Sequence, residues 1–125
     1  MIDHISVGVS NLDRSAAFYE ATLATLGLTR LITRPRTIGF GKSYPEFWIN
    51  LREAMPPVAP ESGVHICLRA KTTAEVDAFH AAALASGGAS DGAPGIRPHD
   101  RVRYYAAFIV DPDGNRIEAV TFPSE

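Results

Sequence analysis

Slid along itself by 61 positions, this sequence meets itself: His4-Ile5 falls on His65-Ile66, Ala17-Phe18 on Ala78-Phe79, Ala21 on Ala82, Leu23-Ala24 on Leu84-Ala85, and Gly27 on Gly88. A repeat of this length implies two copies of one supersecondary unit, neither of which buries its apolar face alone. It also places one histidine at the same point of each copy, at the start of a strand-like run. A duplicated unit that brings one histidine from each copy onto paired strands is a natural frame for a metal site.

Each copy reads in the same order. Ile2 to Val9 alternates, with Ile5, Val7 and Val9 on one side and His4, Ser6 and Gly8 on the other, as a half-buried strand does. Ser10-Asn11-Leu12-Asp13 opens a helix, Leu12, Ala16, Tyr19, Leu23 and Leu26 form its apolar stripe, and Gly27 stops it. Strands are expected at Thr29–Thr33, Thr37–Gly41 and Phe47–Leu51. Residues 56–62, with three prolines, form the best linker, so the chain divides into modules at about 1–55 and 63–125 within one domain. The second module starts with a strand from Gly63 to Ala70. A helix follows, capped by Thr72-Thr73-Ala74-Glu75, with Val76, Phe79, Ala83 and Leu84 as its buried stripe. Ser90 to Asp100 reads as loop, and strands Tyr104–Val110 and Arg116–Phe122 flank the turn Asp111-Pro112-Asp113-Gly114-Asn115. The expected fold is α+β, a curved mixed sheet with helices on one face and an open face for a ligand.

Composition narrows the function. At 125 residues the chain makes one domain with a real core. Its 12 basic and 14 acidic residues give a net charge of −2, which offers no nucleic-acid surface and no basic stripe for a membrane. No apolar run approaches the roughly 20 residues that span a bilayer. Met1-Ile2-Asp3-His4 lacks the basic and apolar regions of a signal peptide, and the lone Cys67 has no partner for an internal disulfide; the expected location is the cytoplasm.

Strand parity locates the polar groups. His4 points away from Ile5 and Val7. His65, Cys67 and Arg69 point away from Ile66 and Leu68, and Glu118 away from Ile117 and Ala119. Two imidazoles and one carboxylate on one open face suit a divalent Fe, Mn, Co, Ni or Zn ion with positions left for substrate. A lone strand histidine is more often a surface residue; the repeat register and the shared side with Glu118 favour ligation here. His80, the repeat partner of Tyr19, reads as surface or packing, and Cys67 as a small inert hydrophobe.

The chain resembles the vicinal oxygen chelate superfamily, which includes glyoxalase I, extradiol dioxygenases, fosfomycin-resistance enzymes and bleomycin-resistance proteins. The resemblance runs over essentially the whole sequence. It is carried by Ile2-Asp3-His4-Ile5, by Leu12-Asp13-Arg14-Ser15 with Phe18-Tyr19, by Gly63-Val64-His65-Ile66, and by Asp111-Pro112-Asp113-Gly114-Asn115-Arg116-Ile117-Glu118. It implies paired βαβββ modules forming a cup around one metal ion held by His4, His65 and Glu118, which chelates vicinal oxygens of a small-molecule substrate. It also implies a homodimer, with the cup closed either within a chain or across two.

One position departs from that pattern. Glyoxalase I-like members take a fourth ligand, Glu or Gln, from the last strand of the first module, where this chain has Asn50. Asparagine is shorter than Gln and carries no basic carboxylate to take a proton. Trp48 shares its face and could wall a substrate pocket. Downstream, Gly92 to Arg101 leads into Val102-Arg103-Tyr104-Tyr105. Polar loops are common, but this one also suits a substrate lip. Arg97 and Arg101 would bind an anionic group, Tyr104 would contact substrate, and His99 and Tyr105 would serve as acid or base. Three functions follow. The favoured one is a metal-dependent lyase, isomerase or transferase that stabilises an oxyanion or enolate. An Fe(II) extradiol-type dioxygenase comes next. A non-catalytic protein that sequesters a small molecule or antibiotic comes last.

Overall fold

The repeat folds as two four-stranded mixed sheets, each carrying one helix. The computed structural model describes residues 1–124. Its elements are β1 (Ile5–Val9), α1 (Leu12–Ala24), β2 (Thr29–Thr33), β3 (Thr37–Gly41), β4 (Pro45–Leu51), β5 (His65–Arg69), α2 (Thr73–Ala85), β6 (Ala89–Arg97), β7 (Tyr104–Val110) and β8 (Arg116–Thr121), with a short 3-10 turn at Pro60–Ser62. Strand order is β1-β4-β3-β2 in one sheet and β5-β8-β7-β6 in the other. In each, the first strand runs parallel to the last and the other pairs are antiparallel. This is the α+β, paired βαβββ arrangement. No helix among the described residues is long and apolar enough to cross a membrane.

Local chemistry explains the boundaries. Asn11 caps α1 by accepting from the Arg14 N–H, and Thr72 caps α2 by accepting from the Glu75 N–H; each satisfies one of the donors a helix start leaves free. Gly27 and Gly87 end the helices with φ of 81° and 101°, a left-handed conformation that costs glycine little. The exact repeat partner of Gly27 is Gly88, which is needed for another reason. A Cβ there would lie 2.6 Å from Phe18 and 2.8 Å from the Val110 carbonyl, so the residue keeps the two halves in close contact.

The halves share one core. Phe18, Tyr19, Leu23, Phe40, Phe47 and Ile49 of the first half and Val76, Phe79, Ala83, Ile109 and Ile117 of the second belong to a single buried cluster. Tyr19 stands edge-on to Phe18 at 4.9 Å and lies 5.0 Å from Phe47, an aromatic arrangement that adds to simple area burial.

Two expectations are corrected. Residues 90–100 are not mainly loop: β6 runs through Arg97, paired with β7. Its register shifts between Ser90 and Gly92 and again between Gly92 and Gly95. Bulges and an edge position let glycines and Pro94 enter a strand that their composition argues against. Leu84 is not part of the buried stripe of α2; it is 45% exposed, on a face that no neighbouring element covers.

Candidate metal centre

The open face of the second sheet carries the chemistry. His65 and Cys67 lie on β5, opposite Arg116 and Glu118 of β8, and Phe108 of β7 faces Glu118 from the other side. Alternation turns Ile66, Ile117 and Ile109 toward the core and leaves His65, Cys67 and Glu118 on the outer face. Glu118 is nevertheless only 2% exposed, because it sits mid-sheet among its neighbours' side chains. A carboxylate buried there needs strong partners.

It has two. His65 Nε2 lies 3.2 Å from Glu118 Oε1, and the Tyr104 hydroxyl donates to Glu118 Oε2; Cys67 stands opposite it in the β5–β8 register. Burial, and then the Glu118 charge, push the Cys67 thiol up to about 12. Desolvation, then the hydrogen bond to Glu118, likewise raises the Tyr104 phenol above its ordinary 10.0. Both groups therefore stay protonated beside one anion.

The His65–Glu118 pair fits a metal ion. Nitrogen and oxygen ligands bind first-row divalent ions at about 2.0–2.2 Å, so two neighbouring donors at right angles stand about 3 Å apart. The observed 3.2 Å matches that spacing. Tyr104 occupies Oε2 and leaves Oε1 on the side of His65. The imidazole is about half exposed, which leaves the other side of such an ion open to solvent.

The third sequence candidate stands elsewhere. His4 precedes β1 in the first sheet, is 53% exposed, and places Nδ1 2.7 Å from Asp3. Among the described residues of one chain, no three His, Cys, Asp or Glu side chains come together to hold an ion. The pseudo-twofold does not bring His4 onto His65 and Glu118 within the chain, because both open faces point away from the shared core.

The remaining candidates divide by strand face. Trp48 and Asn50 lie on β4 beside Ser6 and Gly8 of β1, on the face that carries His4. Trp48 is covered by the Arg34 guanidinium at 5.6 Å. Asn50 Oδ1 accepts from Thr37 Oγ1 at 2.5 Å, so its acceptor is already engaged. Tyr104 joins Glu118, whereas Tyr105, one residue on, turns to the helix side and donates to Asp77 of α2 at 2.6 Å. That bond, with burial second, raises its phenol. The structure does not bring Tyr105 to the open face.

His99 stacks on the Tyr104 ring at 5.9 Å and accepts at Nδ1 from the Arg101 and Val102 N–H groups; it fastens the turn before β7. Arg97 lies over Phe108 at 5.3 Å and donates to the Ala93 carbonyl. Arg101 is exposed in the turn. His80 is held by Ser90 at 2.8 Å, away from these groups.

Sequence reasoning underrated two neighbours. Cys67, which reads in sequence as an inert hydrophobe, stands directly opposite Glu118 on the neighbouring strand. Arg69 lies over Phe122 at 4.4 Å; its two-residue spacing from Cys67 was the signal that it shares this face.

A buried carboxylate and an adjacent imidazole thus share the open face of one sheet on a duplicated βαβββ frame. Residues 1–119 match the Glyoxalase/Bleomycin resistance protein/Dioxygenase superfamily, and the chain belongs to that superfamily. A glyoxalase/bleomycin resistance protein from Albidiferax ferrireducens T118 is 33% identical over 94% of this chain and 95% of its own, with a TM-score of 0.83. Glyoxalase I from Zea mays, 20% identical, aligns with 94% of this chain but 44% of its own, at a TM-score of 0.72. A fosfomycin resistance protein from Listeria monocytogenes, 17% identical over 94% of this chain and 88% of its own, has a TM-score of 0.67. The last two show the shared fold. No match is found among curated proteins.

Proposed function

We propose that this chain is a divalent-metal-dependent enzyme acting on a small oxygenated molecule. We further propose that its centre is shared between two copies, with His65 and Glu118 from one and His4 from the other. The observation that carries the reading is the 3.2 Å pair formed by His65 Nε2 and the buried Glu118 Oε1. A buried carboxylate aimed at an exposed imidazole, on a face no other element covers, offers two of the three ligands such an ion would need. His4, exposed on the other sheet's open face, is the residue available to complete it.

An ion held there (Fe, Mn, Ni, Co or Zn) would supply Lewis-acid polarisation of substrate oxygens. The chain's own contribution is positional. Tyr104 holds Glu118 in one orientation, and His65 holds its ring beside it. Phe108 and Val120 exclude water from the carboxylate's flanks. Asn50, engaged by Thr37, offers no proton-accepting carboxylate, so glyoxalase I-type proton transfer does not pass through that position. The dioxygenase alternative requires iron and oxygen consumption, and the sequestering alternative requires ligand binding without metal.

Elemental analysis of chelator-free protein tests the reading, beside His4→Ala and Glu118→Ala variants. The expected result is one transition metal per chain in the parent and loss in both variants. Unfolding and refolding the two variants together should restore roughly a quarter of parental occupancy, because half of random pairs are mixed and each mixed pair regains one intact centre. No metal in the parent, even after reconstitution, overturns the metal-enzyme reading; metal without complementation overturns the shared centre alone.

A further inference from the structure

A depression of about 580 Å³ opens beside the Tyr104 ring, lined by Arg97, His99, Arg101, Arg103 and Phe122 among others. Arg69 lies over the ring of Phe122, one of the lining residues, at 4.4 Å. Elsewhere the chain's arginines are mostly neutralised: Arg14 pairs with Asp113, Arg30 with Glu20, Arg36 with Glu53 and Arg116 with Asp91. Arg69, Arg97, Arg101 and Arg103 have no carboxylate within ion-pair distance among the described residues. The acid lining the depression, Asp100, is 90% exposed and lies beside His99. On a chain of net charge −2, unpaired guanidinium groups gathered around one depression repel one another unless an anion joins them.

The turn that presents them is ordered. His99 Nδ1 accepts the Arg101 and Val102 N–H groups, and the imidazole is stacked on Tyr104 with an interplanar angle of 7°. Tyr104 in turn donates to Glu118 and meets the lining residue Phe122 edge-on, so its ring stands between the depression and the His65–Glu118 pair. Arg69 lies one same-face step along β5 from Cys67, the residue opposite Glu118; one such step is about 7 Å.

We propose that this depression binds an anionic group of the substrate, a carboxylate or phosphate held by Arg101 and Arg103. The substrate is then an organic anion whose charged end lies several bonds from the adjacent oxygens that approach His65 and Glu118. Arg97 is committed to Phe108 and the Ala93 carbonyl, and Arg69 to Phe122; both add positive charge nearby without reaching for the anion. The assignment rests on the metal-centre reading only for where the other end of the substrate goes.

Calorimetric titration tests it in two arms. On metal-free protein, glutarate should bind with an affinity that falls about tenfold or more in the double variant R101Q/R103Q, consistent with loss of a charge-assisted hydrogen bond. On metal-loaded protein, 2-oxoglutarate should bind about tenfold or more tightly than 2-oxobutyrate, which lacks the distal carboxylate, and the double variant should erase that preference while leaving 2-oxobutyrate unchanged. Both arginines are exposed, and an unchanged melting temperature establishes that the variant folds. Equal affinity for the two oxoacids, or a preference that survives the double variant, overturns the anion site. Inorganic phosphate in place of glutarate distinguishes the anion's source: phosphate displacing glutarate at the same arginines assigns the site to phosphate esters, and glutarate holding against it assigns it to carboxylates. If the protein takes up no metal, the first arm alone decides, so failure of the metal reading stays distinct from failure of this one.

Discussion

The Tyr19 hydroxyl donates to Asp111 Oδ2 at 2.6 Å, joining side chains 92 positions apart and both almost fully buried. Asp111 is a junction: its Oδ1 accepts the Asp113 and Asn115 N–H groups, and its Oδ2 also accepts from Asn115 Nδ2. The β7–β8 turn is thereby fixed to α1 of the other half. Tyr19→Phe should lower stability by about 1–2 kcal/mol, since Asp111 keeps its other donors. Urea denaturation measures it, and a loss near zero would mean that water replaces the hydroxyl.

That phenol also predicts a pH dependence. Burial, then the Asp111 charge, raises Tyr19 well above its ordinary 10.0. The unfolded chain loses this proton first, so the stabilisation is complete below pH 10 and declines as pH rises beyond it. Tyr104 and Tyr105 are shifted the same way. Tyr19→Phe should therefore flatten part of the decline in unfolding free energy between pH 9.5 and 11, not all of it.

Cys67 should react slowly despite its exposure. With its thiol pushed up to about 12 by burial and by Glu118, little thiolate is present at pH 8, and alkylation should run at least about tenfold slower than for a free thiol. Glu118→Gln removes the repelling charge and should accelerate it. An unchanged rate in that variant would show that burial alone sets the reactivity.

Tyr104→Phe should leave the fold intact and weaken metal binding by about 10–100-fold, the usual cost of losing the group that orients a ligand. Competition against a chromogenic chelator reads this without reference to turnover. An unaltered affinity would mean that His65 alone suffices to orient Glu118.

Gly88→Ala should destabilise by roughly 1–3 kcal/mol, because the new methyl meets Phe18 and two backbone carbonyls at 2.6–3.0 Å. Gly95→Ala should cost far less, since its nearest neighbour is the movable tip of Arg97 at 3.3 Å. Thermal melts of the two variants compare them directly.

Much of this was legible in the residues. The repeat fixed two equivalent halves, Asn11 and Thr72 announced the helix starts, and β2, β3 and β7 fell on the spans their alternation marks. Strand parity placed Cys67 and Glu118 on one face and left only the register to be found. β6 was hidden because bulges at Gly92 and Gly95 break alternation, and pairing with β7 supplies what propensity does not. Tyr104 and Tyr105 looked interchangeable as neighbours in sequence; the pleat sends one to Glu118 and the other to Asp77. The position of His4 depends on how the two sheets share a core, which no local pattern encodes.

The β7–β8 turn does more than close a hairpin. Asn115 Nδ2 donates to the Gly8 carbonyl at 2.9 Å, and Asp113 accepts from Ser10, so the strand that carries Glu118 and the strand that follows His4 hang from one clasp. In a pair of chains that exchange these ligands, each chain serves both centres, one from each end of its clasp. A substitution that loosens the turn is then dominant: one faulty chain misplaces a ligand in both centres of every pair it enters.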